Sequence, residues 1–226
     1  MSLMKAIAVD IDGTITDANR KICVNAINAI RNAEESGHPV ILVTGNILCA
    51  ARMVAIMVGT SGGIVGENGG VIQSLEKTQT IGNIEKCKPA YEFLKSKYSV
   101  EKVEFSEERI SEIAIRRTID VNIMKETLKD FDVEIYDTQF ALHITDPNVN
   151  KGKSLEIVAK DMGINLDEIM AVGDSENDLE FLEVAGFKVA VANADKELKE
   201  NTDYVTSKSY GDGTAEAINK FILNKI

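Results

Sequence analysis

The chain has 226 residues, of which 44% are hydrophobic and 27% charged, so it can form one large globular domain or one domain that carries an insert. Its formal net charge of -11 and the lack of a basic patch argue against a nucleic acid or an anionic membrane as partner. The three cysteines lack metal-ligand spacing, and we find no signal peptide and no membrane-spanning run, so we expect a cytoplasmic protein.

A buried strand that ends in two carboxylates is predicted near the start of the chain. Residues 6–9 form a continuous apolar run, and Asp10 and Asp12 follow it directly. Residues two apart on a strand share a face, so these carboxylates repel each other unless a cation or a proton lies between them. An isolated Asp-x-Asp pair is equally compatible with an ordinary acidic loop.

Helices and apolar strands then alternate, which is typical of a parallel sheet covered on both faces. The predicted elements are a helix that ends at Gly37, a strand over 40–43, a helix over about 47–58 and a strand over 63–65. Asp17 or Asn19 is the expected cap of the first helix. Asn68-Gly69 is a strong signal for a hairpin turn.

From about residue 83 the strands alternate between apolar and polar residues, which predicts strands buried on one face. The predicted elements here are helices over about 89–98 and 121–131 and strands over 112–116, 133–136 and 141–144. They form an open-faced α/β unit. We therefore predict a core domain of residues 1–82 and 151–226, interrupted by a small domain of residues 83–150.

The first pattern returns after residue 150, so the core is predicted to be an α/β, doubly wound, Rossmann-like parallel sheet. The elements predicted for this part are a helix over about 153–162, a strand over 169–172, a helix that ends at 184, a strand over 188–191 and a terminal helix from about 214.

Three apolar strands of the predicted core end in polar side chains. Asp10 and Asp12 follow the first strand, Thr44 follows the second, and Asp174 and Asp178 follow the fourth. Ligands of open α/β sheets bind outside the carboxyl ends of the strands, so these side chains can converge. Several carboxylates without His or Cys favour a hard cation, which points to Mg²⁺.

Each signal also has a purely structural interpretation. Ser175 and Asp178 fit a capping box, and Thr44 can cap the helix that follows it. Lys151 is by default a solvated lysine. A nucleotide-binding loop is excluded because Pro147 stands where its first glycine should be.

Taken together and in this order, four segments resemble the haloacid dehalogenase (HAD) superfamily of phosphotransferases. Asp10-Ile11-Asp12-Gly13-Thr14 matches its first motif, Thr44 the second, Lys151 the third, and Gly173-Asp174-Ser175-Glu176-Asn177-Asp178 the fourth. The insert resembles the small form of the family's C2-type cap. The resemblance covers nearly the whole chain.

The resemblance implies a Mg²⁺-dependent phosphomonoester hydrolase that works through an aspartyl-phosphate. In that family's terms, Asp10 is the nucleophile and Asp12 the general acid and base. Thr44 and Lys151 bind the phosphoryl oxygens. The ligands implied for Mg²⁺ are Asp10, the backbone carbonyl of Asp12, Asp174 and, either on the metal or next to a ligand, Asp178.

The expected substrate rests on the resemblance alone. Thr44-Gly45-Asn46, residues 59–62 and the small cap are most similar to archaeal phosphoglycolate phosphatases, although many relatives with this cap type have Arg where this chain has Asn46. We therefore expect a small phosphorylated metabolite, 2-phosphoglycolate, as substrate and a monomer or homodimer as the assembly. The alternatives are a sugar-phosphate phosphatase of the same architecture and, from another class, a receiver-like signalling domain, whose motif order fits poorly.

Strand parity predicts which cap residues face the substrate. If Ile113 and Ile115 pack against the cap helices, Arg116 points to the open side, and the same argument on the third cap strand places His143 there. In the family this side faces the active site. Arg116, with His143 beside it, is thus the expected clamp for a substrate carboxylate. The alternative is an ordinary exposed arginine with a surface partner.

Overall fold

The structure is a computed structural model that describes residues 4–75, 77–138 and 140–224. Its strands are β1 (Ala6–Asp10), β2 (Val40–Val43), β3 (Ile64–Gly66), β4 (Val71–Ser74), β5 (Lys77–Thr80), β6 (Ile113–Ile115), β7 (Glu134–Asp137), β8 (Leu142–Thr145), β9 (Ile169–Gly173), β10 (Phe187–Ala190) and β11 (Tyr204–Val205). Its helices are α1 (Val24–Glu35), α2 (Leu48–Val58), α3 (Ile84–Lys97), α4 (Val121–Leu128), α5 (Lys151–Met162), α6 (Leu179–Val184), α7 (Lys196–Glu200) and α8 (Tyr210–Phe221).

The larger sheet has eight strands in the order β11-β10-β9-β1-β2-β3-β4-β5. The pairs from β11 to β3 are parallel, and β4 and β5 add an antiparallel edge. Strands β1, β2 and β9 are buried at every residue, because helices cover the sheet. The predicted α/β fold with a parallel core sheet is confirmed.

The first helix begins later than predicted. The helix α1 starts at Val24, with Cys23 at its N-cap position and no side-chain cap. The prediction that Asp17 or Asn19 caps this helix is wrong. Asp17 Oδ1 instead accepts hydrogen bonds from the backbone N–H groups of Asn19 (2.8 Å) and Lys21 (3.0 Å), which closes a turn before the helix. Gly37 follows the helix end, as predicted.

Residues 83–150 contain a three-stranded antiparallel sheet of order β6-β8-β7, which packs with α3 and α4 around a hydrophobic core of its own. Ile113 and Ile115 belong to that core, as strand parity predicts. The helix α3 begins five residues before the predicted start at Pro89, because the side chain of Asn83 accepts a hydrogen bond from the Glu85 N–H and caps it. The domain limits at 83 and 150 stay a prediction.

Elements without an apolar pattern were not predicted. They are β5, whose four residues are all exposed, the five-residue helix α7 and the two-residue strand β11. None of them buries enough apolar surface to produce a periodic signal.

No helix in the described ranges has the length and apolarity needed to cross a bilayer.

The core packing that supports the site can be tested at Phe181 on α6, which is fully buried and lies with its ring centroid 5.8 Å from Lys151 Nζ. Phe181→Ala should lower the free energy of unfolding by about 3–5 kcal/mol, the usual cost of removing a buried ring. The measurement is urea unfolding followed by circular dichroism, since the chain has no tryptophan.

The matched control is Phe93→Ala on α3, where the residue is 39% exposed. Its cost should stay near about 1 kcal/mol. Equal losses for the two variants would contradict the packing described for α6.

Candidate active site

The polar side chains that follow β1, β2 and β9 meet at one edge of the sheet, opposite the insert. They line a cleft together with residues of the small domain. The core side of the cleft includes Asp10, Asp12, Thr44, Lys151 and Asp174, and the facing side includes Arg109, Phe140 and His143. The convergence expected from the sheet topology is therefore present in the structure.

Lys151 is buried between two carboxylates. Its Nζ donates hydrogen bonds to Asp10 Oδ1 (3.1 Å) and Asp178 Oδ1 (2.6 Å). Burial disfavours the ammonium, but the Asp10 and Asp178 carboxylates outweigh it and raise the pKa of Lys151. Asn150 caps α5 by accepting from the Lys153 N–H (2.8 Å), so Lys151 lies in the first turn and not in solvent. The solvated-lysine interpretation is wrong.

Three buried carboxylates form a cluster, and two of them, Asp10 and Asp174, line the cleft. Oxygens of Asp10, Asp174 and Asp178 lie within 4.8 Å of one another. Burial and the Asp178 carboxylate raise the pKa of Asp10 well above its usual range and that of Asp174 to about 8. Buried acids that repel one another in this way fit a bound divalent cation, and an all-oxygen donor set fits Mg²⁺.

Gly13 leaves room for this cluster. It has a φ of 87°, and a Cβ at this position would overlap Asp174 Oδ2. Thr14 then donates from its Oγ1 to Asp174 Oδ1 (3.1 Å), which orients that carboxylate. The residues after Asp12 therefore shape the site through their backbone as well as through their side chains.

Both oxygens of Asp178 accept hydrogen bonds from the protein. Oδ1 accepts from Lys151, and Oδ2 accepts from the N–H groups of Asp174 (2.9 Å) and Ser175 (3.1 Å). The capping interpretation of Ser175 and Asp178 thus holds. The same carboxylate also holds Lys151 beside Asp10, so the structural and the functional interpretations apply together.

Asp12 is held by the side chains of Arg20 and Asn46, and no signal in the sequence pointed to Arg20. Arg20 Nε donates to Asp12 Oδ1 (2.8 Å), and Asn46 Nδ2 donates to Asp12 Oδ2 (2.6 Å). Arg20 has a φ of 61° in the turn before α1, and its guanidinium lies 4.6 Å from the ring centroid of Phe140. A left-handed residue in a loop leaves no periodic signal, so only the structure reveals Arg20.

Thr44 does not cap the helix that follows it. Its buried Oγ1 accepts from the backbone N–H (3.1 Å) and Nδ2 (3.1 Å) of Asn46, which forms a tight turn after β2. The helix α2 starts at Leu48 without a side-chain cap. The capping interpretation of Thr44 is therefore wrong.

Arg116 lies outside the cleft, contrary to the expectation from strand parity. Its side chain is 59% exposed, and its Nε is 3.6 Å from Glu101 Oε2. The strand β6 ends at Ile115, and the Arg116 N–H donates to the backbone carbonyl of Glu101. Alternation of faces no longer applies beyond the strand end, so the side chain turns to the surface, as in the alternative interpretation.

His143 and Arg109 are the basic cap residues at the cleft. His143 Nδ1 lies 2.8 Å from Glu112 Oε1, and both side chains are buried. Arg109 also pairs with Glu112 and donates from Nη1 to the backbone carbonyl of Gly45 (3.0 Å). Strand parity predicts His143 at this face, but it gives no signal for Arg109, which precedes β6 in an irregular segment, and the role of Glu112 as its partner appears only in the structure.

Comparison with known proteins places this geometry in a family. A family model described as haloacid dehalogenase-like hydrolase matches residues 7–117 and 82–218. The chain belongs to this family. It is 57% identical over 219 residues to a protein of Methanothermobacter thermautotrophicus named phosphoglycolate phosphatase, and the match covers 97% of this chain and 99% of that protein. The family resemblance of the motifs is confirmed, and the receiver-like alternative is excluded.

Solved structures agree with this assignment. The crystal structure of Thermoplasma acidophilum 0175 matches with a TM-score of 0.91 and 25% identity, over 97% of this chain and 98% of that one. A structure described as a sugar phosphatase of HAD subclass IIB matches with a TM-score of 0.81 and 23% identity, over 96% of this chain and 99% of that one. Because the identity in this second match is only 23%, it shows a shared fold and nothing about the substrate.

The raised pKa of Asp174 predicts that Mg²⁺ stabilises the protein more at high pH than at low pH. In EDTA, the stabilisation by protonated Asp174 is present at low pH and is lost as the pH rises through about 8, because the new charge is buried and faces Asp178. Mg²⁺ replaces the proton, so the Mg²⁺-induced increase in Tm should be larger at about pH 8.5 than at about pH 6.

Thermal unfolding at both pH values, with EDTA and with Mg²⁺, measures this effect. Asp174→Asn is the control, and its Tm should lose most of the response to Mg²⁺ at either pH. An increase in Tm that is the same at both pH values would contradict the proton–metal competition.

Proposed function

We propose that this chain hydrolyses phosphate monoesters through an aspartyl-phosphate and that 2-phosphoglycolate is its substrate. The observation that carries the substrate is the 57% identity, over 97% of the chain, to a protein named phosphoglycolate phosphatase. The cleft supports the chemistry, because it brings a buried carboxylate, a second carboxylate and a buried ammonium together. The proposed binding partner is therefore a small phosphorylated metabolite.

Asp10 is the proposed nucleophile. Its Oδ1 accepts from Lys151, and no described residue donates to Oδ2. Attack on phosphorus forms a bond between the Asp10 carboxylate and phosphorus and breaks the bond to the alkoxide. Water then attacks the same phosphorus, which releases phosphate and restores the Asp10 carboxylate.

Asp12 is the proposed general acid and base. It gives its proton to the leaving alkoxide and takes one from the attacking water. Arg20 donates to both of its oxygens and Asn46 donates to Oδ2, which orients the carboxyl group at the cleft. Because Asn46 Nδ2 also donates to Thr44 Oγ1, this one side chain links the proposed acid to the proposed phosphate-binding hydroxyl.

The proposed metal is Mg²⁺, held by the carboxylates of Asp10 and Asp174 and by the backbone carbonyl of Asp12. When bound, it would neutralise charge on the phosphoryl group. Both oxygens of Asp178 already accept hydrogen bonds. We therefore propose that Asp178 positions Lys151 next to the metal ligands and is not a ligand itself. Thr44 and Lys151 bind phosphoryl oxygens, where their donors stabilise the charge of the transition state.

The cysteines support a proposal for the cell compartment. Cys23, Cys49 and Cys87 are all free thiols in the structure, which fits a reducing compartment. We propose that the protein works in the cytoplasm, as a monomer or homodimer.

The nucleophile can be tested with Asp10→Asn. The amide cannot attack phosphorus, so kcat for 2-phosphoglycolate should fall at least about a thousandfold. Phosphate release in the presence of Mg²⁺ measures the loss, and circular dichroism checks that the variant is folded. Appreciable turnover by the folded variant would rule out Asp10 as nucleophile.

The acid and base role predicts a different result for Asp12→Asn. The variant should retain Mg²⁺ binding, because the proposed ligand is a backbone carbonyl, while kcat falls by about 10²–10⁴-fold. Isothermal titration with Mg²⁺, beside Asp174→Ala as the variant that loses a ligand, separates the two effects. If Asp12→Asn binds Mg²⁺ as poorly as Asp174→Ala, the assignment is wrong.

A further inference from the structure

We propose that Arg109 of the cap binds the carboxylate of the substrate and that Glu112 holds the guanidinium in position for this contact. The inference rests on the proposed function, since it assigns the part of 2-phosphoglycolate that distinguishes it from other phosphate esters. Arg109 takes the role that strand parity predicted for Arg116, whose side chain lies on the surface.

Arg109 lies where a short substrate needs a second anchor. Its side chain is 7% exposed but lines the cleft. Nη1 donates to the carbonyl of Gly45 (3.0 Å), the residue after Thr44. In 2-phosphoglycolate only the ester oxygen and one carbon separate the phosphate from the carboxylate. A residue that touches the proposed phosphate-binding turn is therefore close enough to bind the other end of the molecule.

Glu112 fixes the position of this arginine. The buried carboxylate pairs with Arg109 Nη1, accepts from Asn68 Nδ2 (2.9 Å) and lies 2.8 Å from His143 Nδ1. Although burial opposes ionisation, His143 and Arg109 lower the pKa of Glu112. An ionised, fully bonded partner holds the guanidinium in one orientation, as bidentate recognition of a carboxylate requires.

Arg109 still has hydrogen-bond donors to offer. Both of its hydrogen bonds to described residues leave from Nη1. Its Nε is buried and has no acceptor among the residues that the structure describes. A buried donor without an acceptor is costly, and the edge formed by Nε and Nη2 is one that a carboxylate can engage with both oxygens.

The other cationic side chains of the cleft are already engaged. Lys151 donates to Asp10 and Asp178, and Arg20 donates to Asp12 while its guanidinium faces Phe140. Glu104, the acidic cap residue that lines the cleft, is exposed and would repel a carboxylate. Because Lys151 is assigned to the phosphoryl group and Arg20 to Asp12, Arg109 is the cation of this set that is left to bind the carboxylate, and its buried Nε lacks an acceptor among the described residues.

The test compares two substrates on the same enzyme preparation. One is 2-phosphoglycolate, and the other is 2-hydroxyethyl phosphate, which has a hydroxymethyl group in place of the carboxylate. The variants are Arg109→Gln and, as a milder change that keeps the charge, Arg109→Lys. The matched control is Arg117→Gln, because Arg117 is an exposed cap arginine that pairs with Asp137.

The readout is the ratio of kcat/KM for the two substrates, which does not depend on the folded fraction of a preparation. Arg109→Gln should lower this ratio by about ten- to a hundredfold, mainly through a higher KM for 2-phosphoglycolate. Arg109→Lys should lower it less, and Arg117→Gln should leave it unchanged. If the Gln variant does not fold, the Lys variant still gives the ratio.

If Arg109→Gln leaves the ratio unchanged, whether or not activity on both substrates falls, the role of Arg109 is overturned while the proposed function stays intact. Wild-type protein that does not prefer 2-phosphoglycolate to 2-hydroxyethyl phosphate would instead overturn the proposed substrate, and the carboxylate site with it. These outcomes differ already in the wild-type measurement, so the two failures are distinguishable.

Discussion

The ammonium of Lys151, buried between Asp10 and Asp178, is the interaction on which the site depends. Asp10 is 141 positions from Lys151 in the chain and Asp178 is 27 positions from it, so the ammonium joins distant segments. It also compensates part of the repulsion among the buried acids. Its position in the first turn of α5 is unfavourable for a cation, because a helix N-terminus carries partial positive charge. The two carboxylates overcome that cost, and they leave a charge balance that fits a divalent cation.

The turn between β3 and β4 connects this site to the cap. Glu67 and Asn68 have φ values of 48° and 52°, a conformation that is costly outside glycine. Glu67 Oε2 accepts from the N–H (3.0 Å) and Oγ (2.6 Å) of Ser111, and Asn68 donates to Glu112. A strained core turn is thus bonded to the cap segment that contains Arg109, which explains how this segment is positioned over the residues proposed to bind phosphate.

Much of the fold and of the reacting centre could be predicted from the sequence. The apolar runs at 6–9 and 40–43 became central strands because such runs are stable only when buried on both faces. Because ligands of open α/β sheets bind outside the carboxyl ends of the strands, Asp10, Thr44 and Asp174 were expected to lie together, and all three line the cleft. The edge strand β5 and the helix α7 could not be predicted in the same way, because exposed or very short segments leave no apolar period.

The sequence by itself determined the family resemblance, the core sheet and the polar side chains that meet at the cleft, since these depend on short-range patterns and on backbone position at strand ends. Only the tertiary structure decided which long side chains reach the cleft. Arg116 and Arg109 are separated by seven positions, yet one faces solvent and the other lies buried against Glu112 and Gly45. The direction of an arginine side chain depends on the partners available where its strand or loop ends, and those partners come from distant parts of the chain.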